Sequence, residues 1–119
     1  MAKEPLAFRV EYAILEAVFW DRSKATHQDS WGGWQLSVRK REPDSNDADL
    51  RSAFKRLWRR GLLLLTNPDL DPPEYSGDPA DDNRFFHIGR FNATSTDEGR
   101  AHWDRIELEK PNVPIGFRS

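Results

Sequence analysis

The sequence predicts a mainly α domain with a small β extension, an α+β fold. Residues 47–60 split at helical period into one apolar and one cationic arc. Leu62–Leu65, an unbroken leucine run, follows directly across Gly61. Helical patterns also frame the chain, near residues 6–20 and 96–110. The expected architecture is a three-helix core, two strands joined by a long acidic tip, and an extra C-terminal helix. Residues 1–110 form one domain, and 111–119 form a C-terminal tail.

A chain of 119 residues suits one core. Apolar residues make up 37% and charged residues 32%, a polar balance, but five Trp and seven Phe supply bulk for a small interior. The absence of cysteine excludes disulfides, thiolate zinc sites and cysteine nucleophiles. No apolar run approaches the ~20 residues of a membrane span. The start, MAKEPLAFRVEY, holds no signal-peptide apolar core. A cytoplasmic protein without membrane contact is expected. Net charge is −2, yet residues 39–60 carry eight Lys/Arg against four Asp/Glu, and the remainder ten against sixteen. Such segregation matters more than the total for binding a polyanion.

Pro5 fits a first helical turn. Leu6, Val10, Ala13, Ile14, Ala17 and Val18 then repeat at helical spacing to about Trp20. Leu15 and Phe19 widen this face, which reads as core or as a dimer contact. Asp21–Gly33 is polar and reads as a loop, anchored by Trp31 and Trp34 around a Gly-Gly pair. In WQLSVRKRE, Trp34, Leu36 and Val38 alternate as in a strand, but the length also suits a short helix; the reading leans to a helix over Gln35–Glu42. Arg39-Lys40-Arg41 would end it, at the negative pole of the helix dipole or on phosphates.

PDSND is a turn. Ser45 or Asn46 can cap the next helix, with Asp47 and Asp49 in its first turn. Leu50, Ala53, Phe54, Leu57 and Trp58 share its apolar face, and Arg51, Ser52, Lys55, Arg56, Arg59 and Arg60 the other. Gly61 closes it. Leu62–Leu65 is the first strand. TNPDLDPPEYSGDPADDN follows, with four prolines, one glycine and six acids, and reads as a long loop. Arg84–Phe91 returns as the second strand. Ser95 or Thr96 caps a last helix, Ser95 with Glu98 fitting a capping box. Trp103 and Ile106 turn it to the core, and Pro111 ends it. The tail, with Val113, Ile115 and Phe117, lies over the surface or docks on a partner.

Leu50…Ala53-Phe54…Leu57…Arg59-Arg60-Gly61-Leu62 is similar to the close of recognition helices in winged helix-turn-helix regulators. Thr96-Asp97-Glu98-Gly99-Arg100 resembles the Thr-x-x-Gly-Arg helix start that follows the wing in regulators of the MarR and PadR type. Both lie in the right order, and the resemblance covers roughly Leu6–Leu108. It implies a winged helix domain that binds duplex DNA as a homodimer and regulates transcription. The acidic wing tip, where relatives often carry basic residues, departs from that pattern. So does the Trp-Gly-Gly-Trp of the second helix, and no ligand domain follows.

Arg51, Lys55 and Arg59 are spaced i, i+4, i+8 and line one side of a helix that would fit a major groove. Ser45, Asn46, Arg51, Ser52 and Lys55 are the base-reading candidates. Arg56, Arg59, Arg39, Lys40 and Arg41 are the backbone-contact candidates. Asp47 and Asp49 oppose this reading, because both would lie near phosphates. A solvated face laced with ion pairs, such as Asp47 to Arg51, is the plainer account.

The three histidines are scattered, so no metal site is expected, and the acidic loop lacks calcium-loop spacing. No nucleophile elbow or phosphate-cradling glycine loop occurs, which leaves no basis for an enzyme or a cofactor. The competing role is a protein-interaction module whose acidic loop docks a basic partner.

Overall fold

The computed structural model describes residues 5–70 and 84–108. The chain runs α1 (Leu6–Val18), β1 (Thr26–Ser30), α2 (Trp31–Arg41), α3 (Asp47–Arg59), β2 (Leu63–Thr66), α4 (Arg84–His87), β3 (Arg90–Ser95) and α5 (Asp97–Leu108). The strands form one antiparallel sheet in the order β1-β3-β2. Its register pairs Thr26 with Thr94 and Leu64 with Thr94 from the other side.

α1 starts after Pro5, whose carbonyl accepts from Arg9 N–H. Its buried side comprises Val10, Glu11, Ala13, Ile14, Leu15, Ala17 and Val18. The wider apolar edge belongs to the chain's own core: Leu15 is buried, and Phe19 stacks on Trp103 of α5 at 5.4 Å.

The expected loop over Asp21–Gly33 is a correction. Ala25 turns the chain at φ 49°, and residues 26–30 form β1. THQDS carries no apolar alternation, so its extended shape comes from pairing with β3 rather than from its own pattern. α2 then begins four residues before the expected Gln35. Ser30 caps it, accepting from Gly33 N–H at 3.2 Å. Gly33 leaves room for the Asp29 carboxylate, which would have to swing aside for a Cβ. Trp31, Trp34 and Val38 face inward from this helix.

α3 forms as its periodicity predicts. Asn46 accepts from Asp49 N–H, and the Asp49 side chain accepts from Asn46 N–H, a reciprocal box. At the other end Gly61 sits at φ 73°. Gly61 N–H donates to Trp58 O and Leu62 N–H to Leu57 O, the paired closure that a left-handed glycine permits.

The strand expected over Arg84–Phe91 is also corrected. Residues 84–87 form the short helix α4, and β3 starts only at Arg90. Phe85 and Phe86 are both buried. A strand would send consecutive side chains to opposite faces, whereas a helical turn lets both reach one core. The β element is thus three-stranded, not two-stranded. Asn67, fully buried, donates through Nδ2 to Phe85 O and to Ile88 O (2.8 Å), pinning α4 to the end of β2.

Ser95 closes β3, and its hydroxyl donates to Thr96 O, so the Ser95–Glu98 box does not form. Thr96 takes the capping role, with its Oγ1 accepting from Gly99 N–H at 3.0 Å. The core centres on Trp34, Phe54, Phe86 and Phe91, whose rings meet at 4.9–5.7 Å. Residues 71–83, most of the expected acidic tip, and the tail 111–119 lie outside the described residues.

Candidate nucleic-acid interface

The apolar arc of α3 (Leu50, Ala53, Phe54, Leu57) is buried, which fixes the rotation of the helix. At about 100° per residue, Ala48, Ser52, Lys55 and Arg59 then form the line opposite the core. Ala48, Ser52 and Arg59 are exposed and Lys55 is half-buried. The N-terminal half of that line is small and the C-terminal half is cationic. A helix entering a groove nose-first needs both properties: close approach at the tip and charge beside the phosphates.

The other cations of α3 lean to its two flanks. On the α1 side, Arg56 Nε donates to Glu11 Oε2 at 2.6 Å and Arg60 Nη1 to Glu11 Oε1 at 3.1 Å. Glu11 is 9% exposed. Its carboxylate therefore bridges two guanidiniums one helical turn apart, and Arg56 serves packing against α1. On the opposite flank, Arg51 Nη2 lies 3.4 Å from His87 Nε2 of α4.

The two acids that weighed against a polyanion each hold a hydrogen bond within the chain. Asp49 caps the helix, and Asp47 Oδ2 accepts from Trp31 Nε1 at 3.4 Å. The expected Asp47–Arg51 pairing is not among the salt bridges of the described residues.

The remaining candidates divide in the same way. Ser45 is buried, and its hydroxyl donates to Glu42 O, which removes it from any base-reading role. Asn46 is exposed, but its side-chain oxygen is committed to the cap. Arg41 donates through Nε to Glu16 Oε1 at 2.6 Å and through Nη1 to Ser37 O. Arg39 and Lys40 are exposed at the end of α2. Sequence reasoning placed Arg41, Ser45 and Arg56 at the interface; the structure commits them to the scaffold. The outward line also includes Ala48, four residues before Ser52, and His87, expected on a strand, lies beside Arg51.

The Thr-x-x-Gly-Arg stretch is a clasp. Thr96 Oγ1 reaches Gly61 O at 2.6 Å, Thr96 N–H donates to Leu62 O, and Gly99 packs on the Leu62 carbonyl. Arg100 donates to Arg22 O at 3.0 Å and lies 5.6 Å over the Phe19 ring. These contacts tie α5 to the corner where α3 becomes β2.

Beside this corner, burial holds the His102 imidazole below its ordinary pKa, with Arg60 and Arg105 adding to the effect and Glu11 opposing it. Among the described residues no group of three or more His, Cys, Asp or Glu could hold a metal ion, and no helix is long and apolar enough to cross a membrane. No family model, curated protein or solved structure matches the chain.

Proposed function

We propose that the chain is a winged helix domain that binds duplex DNA with α3 as its recognition helix, as part of a transcriptional regulator. The order helix, strand, two helices, then two strands with the short α4 between them and α5 after, the sheet pairing as β1-β3-β2, supports the winged helix assignment. The observation that carries DNA binding is the outward line Ala48–Ser52–Lys55–Arg59, small at its leading end and cationic behind, with Asp47 engaged by Trp31 and Asp49 engaged in the helix cap. Ser52 and Lys55 are assigned to base edges in the groove, and Arg51, on the flank beside α4, to its phosphate edge. Arg59, Arg39 and Lys40 are assigned to phosphates. Two-fold pairing of the domain would match a palindromic site.

The test is selection from a random duplex library at physiological salt, followed by anisotropy titration of the selected site. Charge reversal of Arg51 and Lys55 together should abolish enrichment. Full-strength binding by that double variant would refute the assignment.

One observation favours a protein-interaction module instead. Three of the cations once assigned to the interface or its face, Arg41, Arg56 and Arg60, are paired with Glu16 and Glu11. On that reading no duplex is enriched, and the exposed Leu36, Arg39 and Lys40 of α2 would face a protein.

A further inference from the structure

Arg51 and His87 reach each other from different elements, and their meeting extends the basic flank of α3 onto α4. α4 is held firmly: Phe85 and Phe86 are buried beneath it, and Asn67 ties both Phe85 O and Ile88 O. With those two rings inward, Arg84 and His87, three residues apart, share the outward side of the turn. Both are exposed. Neither is needed to fill the core, and Trp31 supports the His87 ring from below at 5.1 Å.

We infer that α4 is a second phosphate-contacting element, in which Arg84 and His87 join Arg51 to seat a backbone phosphate of the duplex that α3 enters. The inference rests on the DNA-binding reading of α3 and deepens it. Arg51 Nη2 and His87 Nε2 lie 3.4 Å apart, close enough for one phosphate to accept from the guanidinium and, in the tautomer that carries the proton on Nε2, from the imidazole as well. A guanidinium supplies a planar fork for phosphate oxygens, and the imidazole donates from whichever nitrogen carries its proton. Arg51 and Arg84 also interact elsewhere in the chain, so phosphate competes with those contacts. The seat lies on the flank of α3, beside its midpoint. It would therefore fix the register of the helix along the groove and carry no base preference of its own.

The experiment measures the salt dependence of duplex binding for the whole chain and for Arg84→Gln, His87→Gln and His87→Arg, each checked for an unchanged melting temperature. Arg84→Gln should flatten the logarithmic salt slope by about one unit, uniformly across sequences. His87→Gln should weaken binding several-fold, and His87→Arg should steepen the slope, a gain that misfolding cannot mimic. If the unaltered chain binds through Lys55 while all three variants keep its slope and affinity, the seat on α4 is wrong and the α3 reading stands. If the unaltered chain binds no duplex, both fall.

Discussion

Gly99 lies directly against the backbone carbonyl of Leu62. A Cβ at position 99 would overlap that oxygen and would also stand 2.8 Å from Ser95 Oγ. The obstacle is backbone at the bend between α3 and β2, so it cannot swing aside. Gly99→Ala should therefore pry α5 from the corner, costing about 1–3 kcal/mol as an overpacked substitution does. Chemical denaturation should show a lower midpoint. An unchanged midpoint would mean that α5 is free to shift outward.

Glu11 offers a second test of the scaffold. Its carboxylate is buried while Arg56 and Arg60 remain partly solvated, with side chains 38% and 49% exposed. Removing the charge leaves two guanidiniums facing an uncharged group, but water can reach both. Glu11→Gln should cost about 1–2 kcal/mol, below the ~3–5 kcal/mol of a fully buried pair. A double-mutant cycle with Arg56→Ala should return a coupling of the same order. Zero coupling would show that the pair contributes geometry alone.

How much of this could be read from the chain depends on how local each cause is. α3 was legible to within a residue, because helical period, a Ser or Asn cap and a closing glycine all lie within or beside its own span. β1 was not, because its extended form depends on β3, as the Thr26–Thr94 register shows. The Gly32-Gly33 pair suggested a loop, yet Ser30 caps a helix across it and Gly33 makes room for Asp29. At the site, the cationic arc was visible but its division was not. Whether Arg56 meets solvent or a carboxylate is decided by Glu11, 45 residues away. His87 joined the flank only once residues 84–87 proved helical.

His102 makes stability depend on pH. Its folded pKa lies below its unfolded value, chiefly through burial. The unfolded chain therefore binds the proton more readily, and stability rises with pH through the window between the two values. The contribution is fully present above the unfolded value, about 6.5, and is lost as pH falls through the folded one. Urea midpoints taken from about pH 7.5 down to about pH 5 should decline, and His102→Gln should decline less. Parallel slopes for the two proteins would place the proton uptake on another group.

Lys55, Arg59 and Arg56 share one helix but should separate cleanly in solution. Lys55 and Arg59 lie on the outward line, and Arg56 is bound to Glu11. On the DNA-binding proposal, Arg59→Gln should flatten the salt slope of duplex binding by about one unit. Lys55→Glu should weaken binding more, since it inverts a charge on the outward line of α3 that the proposal places in the groove. Arg56→Gln should do the reverse of Arg59→Gln, lowering the unfolding midpoint while keeping the slope. Paired anisotropy and denaturation series on the three variants make the comparison. If Arg56→Gln flattens the slope as much as Arg59→Gln does, the Glu11 bridge opens on binding and the whole cationic arc, not just its outward line, meets the phosphates.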